Sequence, residues 1–166
     1  MNDQLSLFVS QNEIMPHDQN KVFLLLSLQH QYYQQICNKE KLYEYRRFFR
    51  NEAVNAFIYV TSPQKYISGY VVFGNPRIGS PEEISKIAES QKPGYGTIIY
   101  NYFKDLKKCY AIPLLEFNKY RIPLKLNEIK ESFPSFNPPQ SYIILNKHPI
   151  LLNFLLDNSF DKIRIQ

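Results

Sequence analysis

The sequence predicts an α+β domain: a small mixed β-barrel with short flanking helices. Three observations lead there. Four or five runs of strand length or strand period are interrupted by short helical segments. The chain has 166 residues, enough to close a single core. Its aromatic fraction is 15%, all Tyr and Phe, which marks an ordered protein rather than a disordered one.

Taken in order, residues 1–20 stand apart. After QLSLF comes VSQNEIMPHDQN, polar, broken by Pro16 and without helical or strand period, which reads as a flexible tail. The folded part, 21–145, opens with VFLLLSL (22–28), a continuous apolar run of strand length. HQYYQQICNKE (30–40) places Tyr32, Tyr33 and Ile36 at helical spacing. LYEYRRFF (42–49) alternates as a strand does, as do NAFIYVTS (55–62) and KYISGYVVFG (65–74), and Ser62-Pro63-Gln64 joins the last two as a hairpin. PEEISKIAES (81–90) is a helix with Ser80 as N-cap, Pro81 at its first position and Glu83 completing a capping box. GTIIYNYFKDL (96–106) predicts a second helix, although its β-branched residues oppose it. CYAIPLLEF (109–117) is a strand in which Pro113 requires an edge or a bulge. A loop, a short helix LNEIKESF (126–133) and the stretch PSFNPPQSYIIL follow. KHPILLNFLLDN (147–158), within the extension 146–166, predicts an amphipathic helix begun by Pro149, able to cap the barrel or to form a dimer.

Composition excludes several classes. The formal charge of +5 is a mild bias towards anionic partners. Cys37 and Cys109 lie far apart and make neither a zinc motif nor a disulfide framework, so they read as reduced thiols. His17, His30 and His148 are scattered and offer no metal-ligand spacing. The first residues lack the basic-then-apolar pattern of a signal peptide, and the apolar runs are too short to cross a bilayer. A cytoplasmic protein with no membrane partner is expected.

The stretch ICNKEKLYEYRRFFR (36–50) carries most of the chemistry. On a strand, Leu42, Glu44 and Arg46 share one face and Tyr43, Tyr45 and Arg47 the other. Facing a barrel interior, Glu44 and Arg46 must be paired, and with Lys41 they form a polar floor able to hold a base, a carboxylate or a phosphate. Facing solvent, the same charges simply protect an edge strand from aggregation. Spacing alone leaves both readings open.

The chain resembles the ASCH domain family, relatives of the PUA and EVE folds, over most of residues 22–145. That family begins with S-x-K/Q, a short helix ending I-x-x-G, then K-x-x-E-x-R. Here the stretch reads LSLQHQYYQQICNKEKLYEYRR, so Ser27, Gln29, Lys41, Glu44 and Arg46 fall on motif positions. IYVTSP (58–63), with Tyr59 and Ser62, is similar to the family's I-Y-x-S-S-P. KYISGYVVFG, SPEEI, CYAIPL and PPQSY (138–142) match in order and spacing. Two departures are that Lys39 stands where the family has Gly, so the turn is expected to bend differently, and His30 where it has Pro.

The resemblance implies a PUA-like β-barrel with a cleft beside the first helix, without cofactor or metal. It also implies a ligand site for RNA or a modified nucleotide at Lys41, Glu44, Arg46, Ser27, Gln29, Tyr59 and Ser62. One branch of similar fold hydrolyses acetylated cytidine with the motif Lys, a Thr three residues later and a distant Glu. Lys41 and Glu44 would be the catalytic pair of such a nucleoside amidohydrolase here, but Glu44 replaces the hydroxyl, and only Thr61 or Ser62 could restore one. Binding accounts for more residues. Arg47, Arg50 and Tyr45 suit a nucleic-acid surface, since cations neutralise phosphate and rings stack on bases. Lys104, Lys107, Lys108, Lys119, Arg121 and Lys125 extend it.

QLSLF, finally, is similar in all its positions to the peptide that docks in the groove of the bacterial replication sliding clamp. Gln4 would be the polar locator, Leu5, Leu7 and Phe8 the apolar positions, and the polar stretch behind them a linker. A terminal strand stapled onto the barrel is the other reading, since LSLF also alternates.

Overall fold

The structure, a computed structural model, describes residues 20–163, the side chains of 160–163 excepted. QLSLF lies outside the described residues. The run FLLLSL forms β1 (Phe23–Leu28), and every one of its residues is buried. It is apolar throughout because both of its faces are covered. Leu24, Leu26 and Leu28 point into one core layer with Ala56, Ile58 and Val60, while Phe23 and Leu25 point into another with Phe57 and Tyr59.

From β1 the chain runs through α1 (His30–Cys37) and β2 (Tyr43–Arg46) into β3 (Val54–Val60). β3 pairs with β1 in parallel, from Phe23↔Asn55 to Leu28↔Val60, a pairing that needs a long crossover. β4 (Tyr66–Phe73) returns antiparallel to β3 through the Ser62-Pro63-Gln64 turn. β5 (Arg77–Gly79) is a short strand that alternation did not mark. Helix α2 (Pro81–Gln91) starts with the expected capping box, Ser80 Oγ accepting from Glu83 N–H and the Glu83 carboxylate accepting from Ser80 N–H. Helix α3 (Tyr95–Phe103) packs on α2, and Ile84, Ala88, Ile99 and Phe103 form a third core layer over Cys109 and Ala111. Burying Ile99 and Phe103 there outweighs the weak helix propensity of the β-branched residues.

β6 (Cys109–Lys125) is the longest strand and corrects one expectation. It continues through 118–125, where a loop was expected, and of the two placements open to Pro113 it shows the bulge, within a central strand. Its first half lies between β2 and β5, and its second half pairs with β4. Pro113 is accommodated beside a register shift, where Phe73 pairs Leu114 but Val72 pairs Glu116. At a second shift, Gly69 (φ 149°) allows the strands to touch, since a Cβ there would lie 2.1 Å from the Asn118 carbonyl oxygen.

α4 (Leu126–Ser132), β7 (Tyr142–Ile144) and α5 (Pro149–Ile163) complete the fold. β7 pairs antiparallel with β1. The sheet order is β2-β6-β4-β3-β1-β7, with β5 on β6, so the sheet is mixed and curls into a half-barrel. Leu151, Leu152, Leu155 and Leu156 of α5 cover the outer face at Phe57, Ile67 and Tyr120. The C-terminal helix thus caps the sheet. Among the described residues no helix is long and apolar enough to cross a membrane.

Candidate functional site

β2 is an edge strand, yet Glu44 is buried in it and Arg46 half-buried. Its pairing with β6 places Glu44 opposite Ile112 and Arg46 opposite Tyr110, on the face lined by the barrel core. Tyr43 and Tyr45 lie opposite Pro113 and Ala111, on the face covered by α2 and α3. Glu44 is 6% exposed. A carboxylate so far removed from water requires partners, and it has two cations. Lys41 Nζ lies 3.3 Å from Oε2 and Arg46 Nε 2.7 Å from Oε1. The arginine contact is an ion pair lying off the N–H direction rather than an aligned hydrogen bond. The three side chains together carry one net positive charge.

Arg46 has a second task. Its Nη2 donates to the Ser27 carbonyl oxygen at 3.2 Å and its Nη1 to Ser141 Oγ at 3.3 Å. Ser27 N–H donates to the Ser141 carbonyl, and Ser27 Oγ to that of Pro139 at 2.6 Å. β2 and β7 are the two ends of the sheet, so Arg46 bridges the seam that backbone pairing leaves open. Phe49 closes the same seam by an edge-on contact with Tyr142 at 5.5 Å between centroids.

Tyrosines wall the group. Lys41 Nζ lies 5.2 Å from the ring centroid of Tyr32 on α1 and 5.7 Å from that of Tyr45. Since Glu44 and Tyr45 face opposite ways, Lys41 reaches both by lying at the free edge of β2. Tyr95 meets Tyr45 edge-on at 6.1 Å, and Tyr43 lies 6.3 Å from Tyr45. Burial, then the neighbouring Tyr95 and Tyr43 hydroxyls and the Glu44 charge, push the Tyr45 hydroxyl above its usual range. Burial, then Tyr32 and Glu44, do the same for Tyr95. Both remain neutral phenols at physiological pH.

The turn between α2 and α3 fixes Tyr95. The Glu89 carboxylate accepts from Gly94 N–H at 2.9 and 3.0 Å and from Gly96 N–H at 2.9 Å. Those two donors hold its carboxyl below the usual carboxylate range. Gly96 has no room for a side chain, because a Cβ would lie 2.8 Å from both Glu89 Cβ and the Ser85 carbonyl oxygen. At the end of α1, Lys39 adopts φ 58°, the left-handed conformation that glycine prefers, so the turn expected to bend differently keeps a glycine-like backbone with a lysine in place.

The other expected residues are dispersed. Gln29 is exposed at the start of α1, its Oε1 accepting from Gln31 Nε2. Tyr59 is buried in the layer under α5, on the opposite face of the sheet, because odd-numbered residues of β3 point that way. Ser62 is exposed in the β3–β4 turn, and Thr61 N–H donates to the Leu28 carbonyl at 3.0 Å. Arg50 is half-buried and paired with Glu52. Tyr45 is half-buried between Tyr43 and Tyr95. Arg47 is exposed, with its Nη2 donating to the Tyr102 carbonyl at 2.8 Å. Lys119 and Lys125 lie on the half of β6 that pairs with β4.

Tyr32, Tyr95 and Ser141 were not anticipated as site residues. The PPQSY match held the signal for Ser141. Nothing local singled out Tyr95, whose place depends on how α3 packs. Among the described residues no group of three or more His, Cys, Asp and Glu side chains is placed to hold a metal ion.

No family model and no curated protein matches the chain. Solved structures do. An ASCH protein from Zymomonas mobilis is 22% identical with a TM-score of 0.64, the match covering 78% of this chain and 93% of that one. A serine-to-alanine variant of the Zymomonas mobilis protein gives 24% identity and TM-score 0.61 over 80% and 95%, and a tyrosine-to-phenylalanine variant 23% and 0.61 over 79% and 96%. The chain therefore has the α+β, PUA-like fold of ASCH proteins.

Proposed function

We propose that this chain is a module that binds RNA or a modified nucleotide in the cleft where Lys41, Glu44 and Arg46 meet. The observation that carries this reading is a buried charge group of net +1 walled by tyrosine rings. Rings offer stacking faces to a base, and the net positive charge suits a phosphate or a base carbonyl. Titration with single-stranded RNA across a salt series tests it. Lys41→Ala is expected to weaken binding about tenfold and to reduce the salt slope by about one. Lys41 is chosen because Arg46 also closes the sheet. Unchanged affinity in a folded Lys41→Ala protein would remove the cleft as the site.

The match of Gln4, Leu5, Leu7 and Phe8 to a clamp-docking peptide supports a second element, a tether to the bacterial replication clamp. Binding of labelled clamp that Leu7→Ala and Phe8→Ala abolish is expected; binding that survives both removes the tether. The amidohydrolase reading has less support. Glu44 occupies the hydroxyl position and Lys41 Nζ is engaged by it. No product from N-acetylated cytidine is expected after long incubation at high protein concentration.

A further inference from the structure

The ligand of the cleft, on the reading above, is a single strand several nucleotides long rather than a free nucleoside. We infer this from a platform at the end of β2, one residue beyond the cleft.

Phe48 is 73% exposed, although it lies two residues from the half-buried, Glu44-bound Arg46 and next to buried Phe49. A ring so exposed on a turn makes no contribution to the core, and it contrasts with Phe49, which is 7% exposed and packs on Phe73. Beside it the Arg47 guanidinium lies over the Tyr102 ring, 4.7 Å from its centroid, while one of its nitrogens is tied to the Tyr102 carbonyl. Tyr102 itself is 50% exposed. The arrangement holds a planar cation over a ring, at an exposed position, with donors left over.

The charge around this platform is one-sided. The β2–β6 ladder, from Tyr43↔Pro113 to Arg46↔Tyr110, directs Arg47 and Phe48 towards the start of β6. There Lys104, Lys107 and Lys108 are all exposed, opposed locally by the single carboxylate of Asp105. Exposed rings interleaved with an excess of cations complement a polyanion that carries stacking faces. A protein partner would call for a broader apolar patch with fewer lysines, because lysine is depleted at such interfaces. The platform adjoins the cleft through consecutive residues, Arg46 on the cleft side and Arg47 and Phe48 on the other. One strand can therefore engage both. A base lies in the tyrosine-walled cleft, the next stacks at Phe48 or on the Arg47–Tyr102 pair, and the phosphates run towards the lysines.

The test compares uridine 5′-monophosphate with octauridylate on the full chain and on Phe48→Ala, Tyr102→Ala and Lys41→Ala, all at low salt. Phe48→Ala is an exposed change and keeps the fold, which thermal unfolding checks. It is expected to weaken octauridylate about tenfold and to leave the monophosphate unchanged. Tyr102→Ala is expected to act in the same direction. If the wild type binds both probes but octauridylate no more tightly than the monophosphate, or both aromatic variants bind octauridylate as the wild type does, the platform is overturned while the cleft stands. If Phe48→Ala weakens octauridylate and Lys41→Ala does not, the platform stands and the cleft is overturned. If neither probe binds and Phe48→Ala abolishes concentration-dependent self-association in sedimentation, the face is a protein interface and the inference fails.

Discussion

β1 and β2 both lie in the barrel wall, and they are buried by opposite means. β1 has neighbours on both edges and core layers on both faces, and it is apolar at nearly every position. β2 has one neighbour, β6, and a free edge, and its inward residues are Glu44 and Arg46. In β1 the removal of apolar area from water supplies the stability, roughly 25 cal/mol per Å². In β2 the inward ions must satisfy one another, and their attraction roughly offsets their desolvation. The lesson is that a short strand can be built into a wall for its chemistry rather than its cohesion. β2 holds a charged group where β1 holds the core.

Three changes would break or sharpen that contrast. The largest effect is expected at Glu44. Glu44→Ala leaves the buried Lys41 ammonium and the half-buried Arg46 guanidinium side by side without a counter-charge and is expected to cost about 3–5 kcal/mol, read as a lower urea midpoint at constant slope. Combining Lys41→Met, Glu44→Leu and Arg46→Met is expected to recover more than half of that loss, since no ion is then left alone. A triple variant as unstable as the single one would mean that β2 is held by something other than charge balance. Next comes Leu26→Ala, at 1% exposure in β1, expected to cost about 3 kcal/mol through lost transfer energy and a cavity. A loss below about 1 kcal/mol would show that the site collapses freely and that β1 is not a rigid wall.

The smallest effect concerns the outer cover of β2. Glu89 fastens Tyr95 against Tyr45, and its folded carboxyl lies below the ordinary value of 4.5. A depressed carboxylate contributes stability that is fully present above the unfolded pKa and is lost as pH falls through the folded one. The gap in Tm between wild type and Glu89→Gln is therefore expected to be constant from pH 7 down to the ordinary carboxylate range, and to close below it. A gap that persists unchanged at pH 3 would remove the carboxylate from the account.

The contrast also explains what could be read in advance. β1, α1, the β3–β4 hairpin and the capped α2 are specified locally, by a run of apolar residues, by helical spacing and by Ser80-Pro81-Glu83. β5 and the second half of β6 were not legible, because their pairing is set by distant partners and their own residues alternate poorly. In the cleft, Lys41, Glu44 and Arg46 stood out through a motif. Tyr32, Tyr95 and Ser141 come from α1, α3 and the segment before β7, and no spacing relates them. Tyr59 illustrates the reverse. It sits in a matched motif but on the far face of β3, where it joins the α5 layer.

The sequence by itself determined most of the strands and helices, β5 and the second half of β6 excepted, since hydrophobic period and cap chemistry act over a few residues. It also determined that Glu44 and Arg46 share a face, because side chains on a strand alternate. Only the tertiary structure decided which face that is. It curls the sheet until β2 approaches β7 and leaves the seam that Arg46 spans to Ser27 and Ser141. Burial of a charge is a property of everything packed around it, and in this chain those surroundings come from residues as far apart as 27 and 141.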